Sequence, residues 1–263
     1  KITVQNKFHL NFKLNDRSFS SESDLCDYAK EISLELSLFL EDWFDDKKHI
    51  IVKTSGSTGK PKPIQLSKEH MSNSAKATGS YFNLGVSTTA LLCLPINYIA
   101  GKMMLVRALT LGCELYIVDA ISNPLKDLEK HYDFSAMVPL QLRSSLSELY
   151  KLKQLIVGGG VVSNDLIDAT YGMTETITHI AVKKLNNIHQ AELTLASCYK
   201  VLSDVEIYQD TRNCLVIEAP KVSEEKVITN DVVKIVSKTA FEWLGRFDNV
   251  INSGGVKLHP EKI

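Results

Sequence analysis

The sequence predicts an α/β protein, with mixed, largely parallel sheets flanked by helices and a small β subdomain toward its C-terminal side. Three observations carry this. Short apolar runs alternate with segments of helical period from about residue 50 to residue 175, the pattern of strand–helix–strand units. A loop rich in glycine, hydroxyl and lysine side chains follows directly on one of those runs, at HIIVK. From about residue 191 the helical period disappears, and short alternating strands separated by polar turns replace it.

Residues 1–20 alternate weakly and predict one or two short strands. Between 22 and 44, Leu25, Tyr28, Ala29, Ile32, Leu36, Phe39, Leu40 and Trp43 recur at helical spacing, with N-cap candidates among Ser20 to Ser23. A strand at 49–53 leads into the loop, and apolar residues resume at Pro63. Residues 67–83 predict a helix, 90–95 a buried strand, 100–111 an apolar helix and 113–118 a further strand. SAMVP (135–139), LKQLIVGGG (152–160) and the strand entering ATYGMTE (169–175) continue the alternation. LTLAS, VEIYQ, CLVIEAP, VVKIVS and AFEWLG then predict the antiparallel region. The expected organisation is a large domain over 1–247, its β-rich part starting near 191, and a second segment over 248–263.

The 263 residues are 44% hydrophobic and 23% charged, with a net charge of −1, a balance that favours neither nucleic acid nor an anionic membrane. No stretch approaches the about 18 apolar residues of a spanning helix. The five cysteines are scattered and form no CxxC pair, which argues against zinc and fits a reducing cytoplasmic compartment. Oligomeric state is left open, a homo-oligomer included.

The chemistry concentrates in Thr54-Ser55-Gly56-Ser57-Thr58-Gly59-Lys60-Pro61-Lys62. Glycines let backbone N–H groups approach a phosphate, hydroxyls add donors and lysines add charge. A Walker-type loop is excluded, because two residues rather than four separate Gly56 from Gly59, and Pro61 stands where a magnesium-holding hydroxyl belongs. Downstream lie Gly158-Gly159-Gly160, Tyr171-Gly172-Met173-Thr174-Glu175, Asp231 in ITNDVV, and Gly245-Arg246-Phe247-Asp248.

These motifs, in this order, resemble the adenylate-forming superfamily of acyl-CoA synthetases, luciferase and adenylation domains. The resemblance implies that 54–60 and Lys62 cradle the phosphates of ATP, that the 158–160 turn lies against the adenine and acyl pocket, and that the Tyr171 ring stacks on adenine beside Gly172 and Met173. It further implies that Thr174 touches phosphate, Glu175 holds Mg²⁺, Asp231 accepts from the ribose hydroxyls, Arg246 contacts ribose and phosphate, and Asp248 is the hinge of a small C-terminal domain. Asn230 stands where the family has glycine. The family's adenylation lysine falls beyond Ile263, so the chain by itself is expected to bind nucleotide and to adenylate poorly.

The narrower resemblance is to the o-succinylbenzoate–CoA ligases of menaquinone biosynthesis. Pro95-Ile96-Asn97-Tyr98-Ile99-Ala100-Gly101 matches the family's PxxHxxG, with Tyr98 replacing histidine at the acid pocket. Arg107, six residues past Gly101, is the expected partner of a second substrate carboxylate, with Lys102 as another candidate. His179 would face the acyl pocket if the stretch after Glu175 were helical. Implied substrates are a small carboxylic acid, ATP and CoA. Another aryl- or fatty-acyl-CoA ligase, a carrier-loading adenylation domain and a non-catalytic nucleotide-binding module are the alternatives. One irregularity stands out: Val161 to Thr170 are too few to build a helix and return along a parallel strand, so a gap in the chain is expected near Asp168–Ala169.

Overall fold

The computed structural model describes residues 7–53, 63–159, 168–172, 179–183, 198–249, 251–253 and 256–258, with backbone alone for 53, 168–172, 251–253 and 256–258. The chain divides into two compact units, Lys1–Val162 and Ser163–Ile263.

The first unit opens with a two-strand turn, β1 (Lys13–Leu14) and β2 (Arg17–Ser18), as the weak alternation predicted. The helical stretch after it is two helices, α1 (Glu22–Ile32) and α2 (Leu34–Phe44). Ser33 separates them: its backbone is extended, its N–H donates to Ala29 O, and its Oγ accepts from Leu36 N–H at 3.1 Å. A serine that caps both ends satisfies groups which a continuous helix would have bonded internally, and hydrophobic period alone does not reveal it. The first helix starts where expected, with Ser21 Oγ accepting from Asp24 N–H.

β3 (His49–Lys53) and β4 (Pro63–Ser67) pair as an antiparallel hairpin, Lys53 opposite Pro63. α3 (Lys68–Phe82) starts on a Ser67 cap and ends on Asn83, whose φ of 54° is the left-handed stop. β5 (Thr89–Leu92), α4 (Ile99–Leu111) and β6 (Glu114–Ile117) form a strand–helix–parallel strand unit. β7 (Tyr132–Met137), α5 (Pro139–Ser144) and β8 (Leu152–Val157) follow. The sheet order is β2-β1-β6-β5-β7-β8, parallel throughout except for β1–β2. Strands buried on both faces explain why Leu91 and Leu92, and Leu155 to Val157, read as unbroken apolar runs. After β6 the chain crosses to the other side of β5, so the carboxyl ends of β5 and β7 form a topological switch point, where α/β sheets place ligands.

α4 approaches its preceding loop closely at Gly101, where an added Cβ would lie 2.3 Å from Pro95 O. Backbone on one side and helix on the other leave nothing flexible to yield. Gly101→Ala is expected to lower stability by about 1–3 kcal/mol, read as a drop in the urea midpoint without change of slope.

The second unit contains β9 (Asp168–Gly172), β10 (His179–Lys183), β11 (Tyr199–Val201), β12 (Glu206–Gln209), β13 (Cys214–Glu218), β14 (Val227–Ser237) and β15 (Ala240–Arg246). They are ordered β12-β13-β14-β15-β11-β10-β9, each pair antiparallel. Ile180, Ala181, Leu215, Ile217, Val233 and Phe241 form its core, with Tyr199 stacked on Phe241 at 5.4 Å. A last antiparallel pair is β16 (Ile251–Ser253) with β17 (Val256–Leu258). Asp168 and Ala169 are consecutive residues of β9, whose register is set by pairing with β10 from Ala169 to Gly172.

None of the five cysteines, all described, is disulfide-bonded. Burial pushes the Cys93 thiol up to about 11 and Cys113 up to about 12. Among the described residues no helix is long and apolar enough to cross a membrane, and no three His, Cys, Asp or Glu side chains gather as a metal site.

Candidate active site

In the first unit, the switch point gathers several predicted residues. Tyr98 caps the N-terminus of α4 just beyond β5 and is 53% exposed. Gly158 follows β8, its N–H donating to Met137 O at the end of β7. Gly159 has φ +81°, a conformation that favours glycine there. Gly160 and the loop 54–62, including Lys60 and Lys62, lie outside the described residues; the flanking Lys53 and Pro63 are a paired position of the β3–β4 hairpin.

Gln141 is the residue here that sequence reasoning missed. It is buried, its amide donating to Cys93 O at 2.8 Å and Ile121 O at 3.1 Å while its carbonyl accepts from Val138 N–H. One side chain thus ties together the segments leaving β5, β6 and β7. A glutamine four residues after a strand carries no sequence signal, because the partners of its amide group are backbone carbonyls 20 and 48 residues away.

The two basic candidates of α4 differ. Arg107 sits in mid-helix, 4% exposed, and burial lowers its pKa to about 10. Lys102 donates to Ile96 O at 2.8 Å and lies over the Phe39 ring at 4.7 Å. Desolvation lowers the Lys102 pKa, partly offset by Asp42.

In the second unit, Tyr171 and Gly172 end β9, paired with Ala181 and His179 of β10. Met173, Thr174 and Glu175 lie outside the described residues. His179 opens a strand, not a helix turn, and is buried. The stretch between Glu175 and His179, on which its facing an acyl pocket depended, lies outside the described residues; from His179 onward HIAVK pairs across the sheet with strand period.

Asp231 and Arg246 do meet. They are opposite one another in the β14–β15 register, with Arg246 Nη1 3.5 Å from Asp231 Oδ1. Trp243 Nε1 donates to the same oxygen at 3.1 Å. Residues 243 and 246 of a regular strand face opposite sides of the sheet. Here the register slips between Val232–Gly245 and Val233–Trp243, and Gly245 takes φ 140°. That bulge turns both donors onto one carboxylate. Asp231 is 6% exposed, and Thr229 Oγ1 accepts its backbone N–H at 3.0 Å. The result is a fixed carboxylate beside an always-charged guanidinium. Ribose hydroxyls both donate and accept, and phosphates accept, so this donor–acceptor set fits the sugar–phosphate part of a nucleotide.

Asp248 follows in a short 3₁₀ turn, Phe247–Asn249, 3.8 Å from Arg246 Nη2. Asn230 Nδ2 donates to its Oδ2 at 3.2 Å.

Comparison with known proteins gives the family and the fold. The family model described as AMP-binding enzyme matches residues 46–213. A 2-succinylbenzoate–CoA ligase of Enterococcus faecalis is 28% identical over 60% of this chain and 36% of its own length. That of Haemophilus influenzae is 25% identical over 91% of this chain and 58% of its own length. The chain therefore spans well under two thirds of the curated relatives it matches. Among solved structures, an acyl-CoA synthetase (AMP-forming)/AMP-acid ligase II-like protein from Dyadobacter fermentans superposes with a TM-score of 0.74. The two are 39% identical, over 87% of this chain and 68% of that one. The o-succinylbenzoate coenzyme A synthetase of Bacillus subtilis, solved with ATP and magnesium ion, gives a TM-score of 0.68. At 20% identity over 81% of this chain and 53% of its own, it is a likeness of fold. With well over half of its residues within the family match, the chain belongs to the AMP-binding enzyme family.

Proposed function

We propose that this chain is the nucleotide- and acid-binding part of an AMP-forming acid–CoA ligase, with o-succinylbenzoate as the acid. The observation that carries the nucleotide half is the bulge that aims Trp243 and Arg246 at Asp231. The relatives' names support the reaction class and the acid.

In the first half-reaction, the substrate carboxylate oxygen attacks the α-phosphorus of ATP and pyrophosphate leaves with the electron pair of the broken P–O bond. In the second, the thiolate of CoA attacks the acyl carbon and AMP leaves. No side-chain nucleophile is needed. Lys60, Lys62 and the loop 54–59 hold and neutralise phosphate, Thr174 donates to it, and Asp231 with Arg246 anchors the ribose. Tyr171, Gly172 and Met173 take the adenine face, together with the 158–160 turn. Mg²⁺, held by Glu175, supplies further charge neutralisation when bound. Asp248 is the hinge between the half-reactions. At the acid end, Tyr98 lines the entrance and Arg107 meets the second carboxylate. Thiols outside any disulfide fit a reducing cytoplasmic setting.

The test is pyrophosphate release by the full-length protein with a panel of acids. The reading requires o-succinylbenzoate to give the highest kcat/KM; preference for a fatty or simple aryl acid moves the protein to another branch, and no release with any acid removes the ligase assignment. Lys62→Ala and Glu175→Gln are each expected to cut ATP turnover about tenfold, by loss of a phosphate partner and of a hard oxygen ligand.

A further inference from the structure

Arg212 belongs to none of the motifs above, yet it holds three of their neighbours. Its Nη2 donates to Thr229 O at 3.1 Å and its Nη1 to Asn230 Oδ1 at 2.8 Å. Its Nε donates to Asp210 Oδ2 at 2.8 Å, and its guanidinium lies over the Phe247 ring at 5.4 Å. Asp210 in turn accepts from the Arg212 and Cys214 N–H groups, which fixes the turn that presents the arginine. Desolvation pushes the Asp210 pKa up, but these bonds outweigh it and leave it lowered.

The strand opposite explains why such a clamp is needed. β13 pairs Val216 with Ile228 and Cys214 with Val232, so Thr229, Asn230 and Asp231 face a single residue, Leu215. Three residues against one cannot all join the ladder. Side chains supply the missing bonds: Thr229 Oγ1 donates to Leu215 O, and Arg212 takes Thr229 O. Asn230, standing where the family has glycine, then reaches Asp248.

We propose that Arg212 and Asn230 are positioning residues that couple Asp231 to Asp248, so that the hinge segment is latched to the nucleotide-binding bulge. The inference rests on the ligase reading above, in which Asp248 is the hinge. Rotation about Asp248 must break the Asn230–Asp248 bond. That bond is solvent-exposed, so its loss should change the step that needs rotation by a modest factor, about threefold.

Three variants of the full-length protein separate the roles. Asn230→Gly removes the link to Asp248 together with the acceptor of Arg212 Nη1, while Arg212 keeps Thr229 O and Asp210. It should speed hydrogen exchange at the Phe247–Asn249 amides about threefold and raise thioester formation about threefold relative to acyl-AMP formation, with AMP affinity within about twofold of wild type. Arg212→Gln should do the same and also weaken AMP about fivefold, because Thr229 and hence Asp231 lose their support. Arg212→Lys should not rescue it, since an ammonium cannot span three acceptors as the planar fork does. Thermal midpoints taken alongside exclude unfolding; a variant that does not fold is set aside and the other is read. If exchange at Phe247–Asn249 and the ratio of the two half-reactions stay at wild-type values in Asn230→Gly and Arg212→Gln, the latch is wrong. Faster exchange with an unmoved ratio equally overturns it, leaving Arg212 a structural clamp. The wild-type control is independent: no acyl-AMP from any acid would sink the ligase reading, while the exchange data would still show whether the link to Asp248 exists.

Discussion

Asp231→Ala is expected to weaken AMP binding by about ten- to a hundredfold in the full-length protein. The substitution removes the charged acceptor proposed for the ribose hydroxyls, a bond of about 1.5–3 kcal/mol. It also leaves the Trp243 indole N–H and the Arg246 guanidinium without the oxygen at which they converge, at 3.1 and 3.5 Å. The effect should therefore exceed that of losing one ribose contact. Asp231→Asn keeps a carbonyl oxygen for Trp243 and should recover part of the loss. Calorimetric titration with AMP provides the measurement; an unchanged affinity in the alanine variant would remove Asp231 from the nucleotide site.

Arg107→Lys is expected to raise KM for o-succinylbenzoate about ten- to a hundredfold and to leave KM for ATP nearly unchanged. The arginine is 4% exposed within an apolar helix, and its planar fork can take a carboxylate with two parallel bonds. Lysine keeps the charge but offers a single point of contact. A monocarboxylic analogue, such as a 4-phenyl-4-oxobutanoate, should be a poor substrate of the wild type and lose little more in the variant. If the variant treats the two acids as the wild type does, Arg107 is part of the core and the second-carboxylate assignment falls. The nucleotide assignment would stand, because it rests on Asp231 and Arg246 and on the loop and YGMTE motifs.

The ends of the elements show how much was legible. Ser67 and Gly112 mark the start of α3 and the end of α4 by chemistry that any reader of sequence can use, a side-chain cap and a left-handed stop at φ 77°. Ser33 was not legible as a break, because the apolar period runs through it while its hydroxyl ends one helix and starts another. His179 shows the same limit in reverse: its short segment fits either period, and the pairing with Gly172 decides for the strand.

By itself, the sequence determined the α/β class, the order of nearly all described elements, the motifs proposed to hold nucleotide, and the family. Each of these rests on local pattern: side-chain period, cap chemistry, or residues contiguous along the chain. Tertiary structure alone decided which of those residues meet. The bulge at Gly245 brings Trp243 and Arg246 onto one oxygen of Asp231, and Gln141 ties three strand ends together. Arg212 finds Thr229 and Asn230 across a slipped register. A register shift moves side chains between faces while changing nothing in the linear pattern. Convergence of distant groups is therefore a property of how the strands pair, which no single segment specifies.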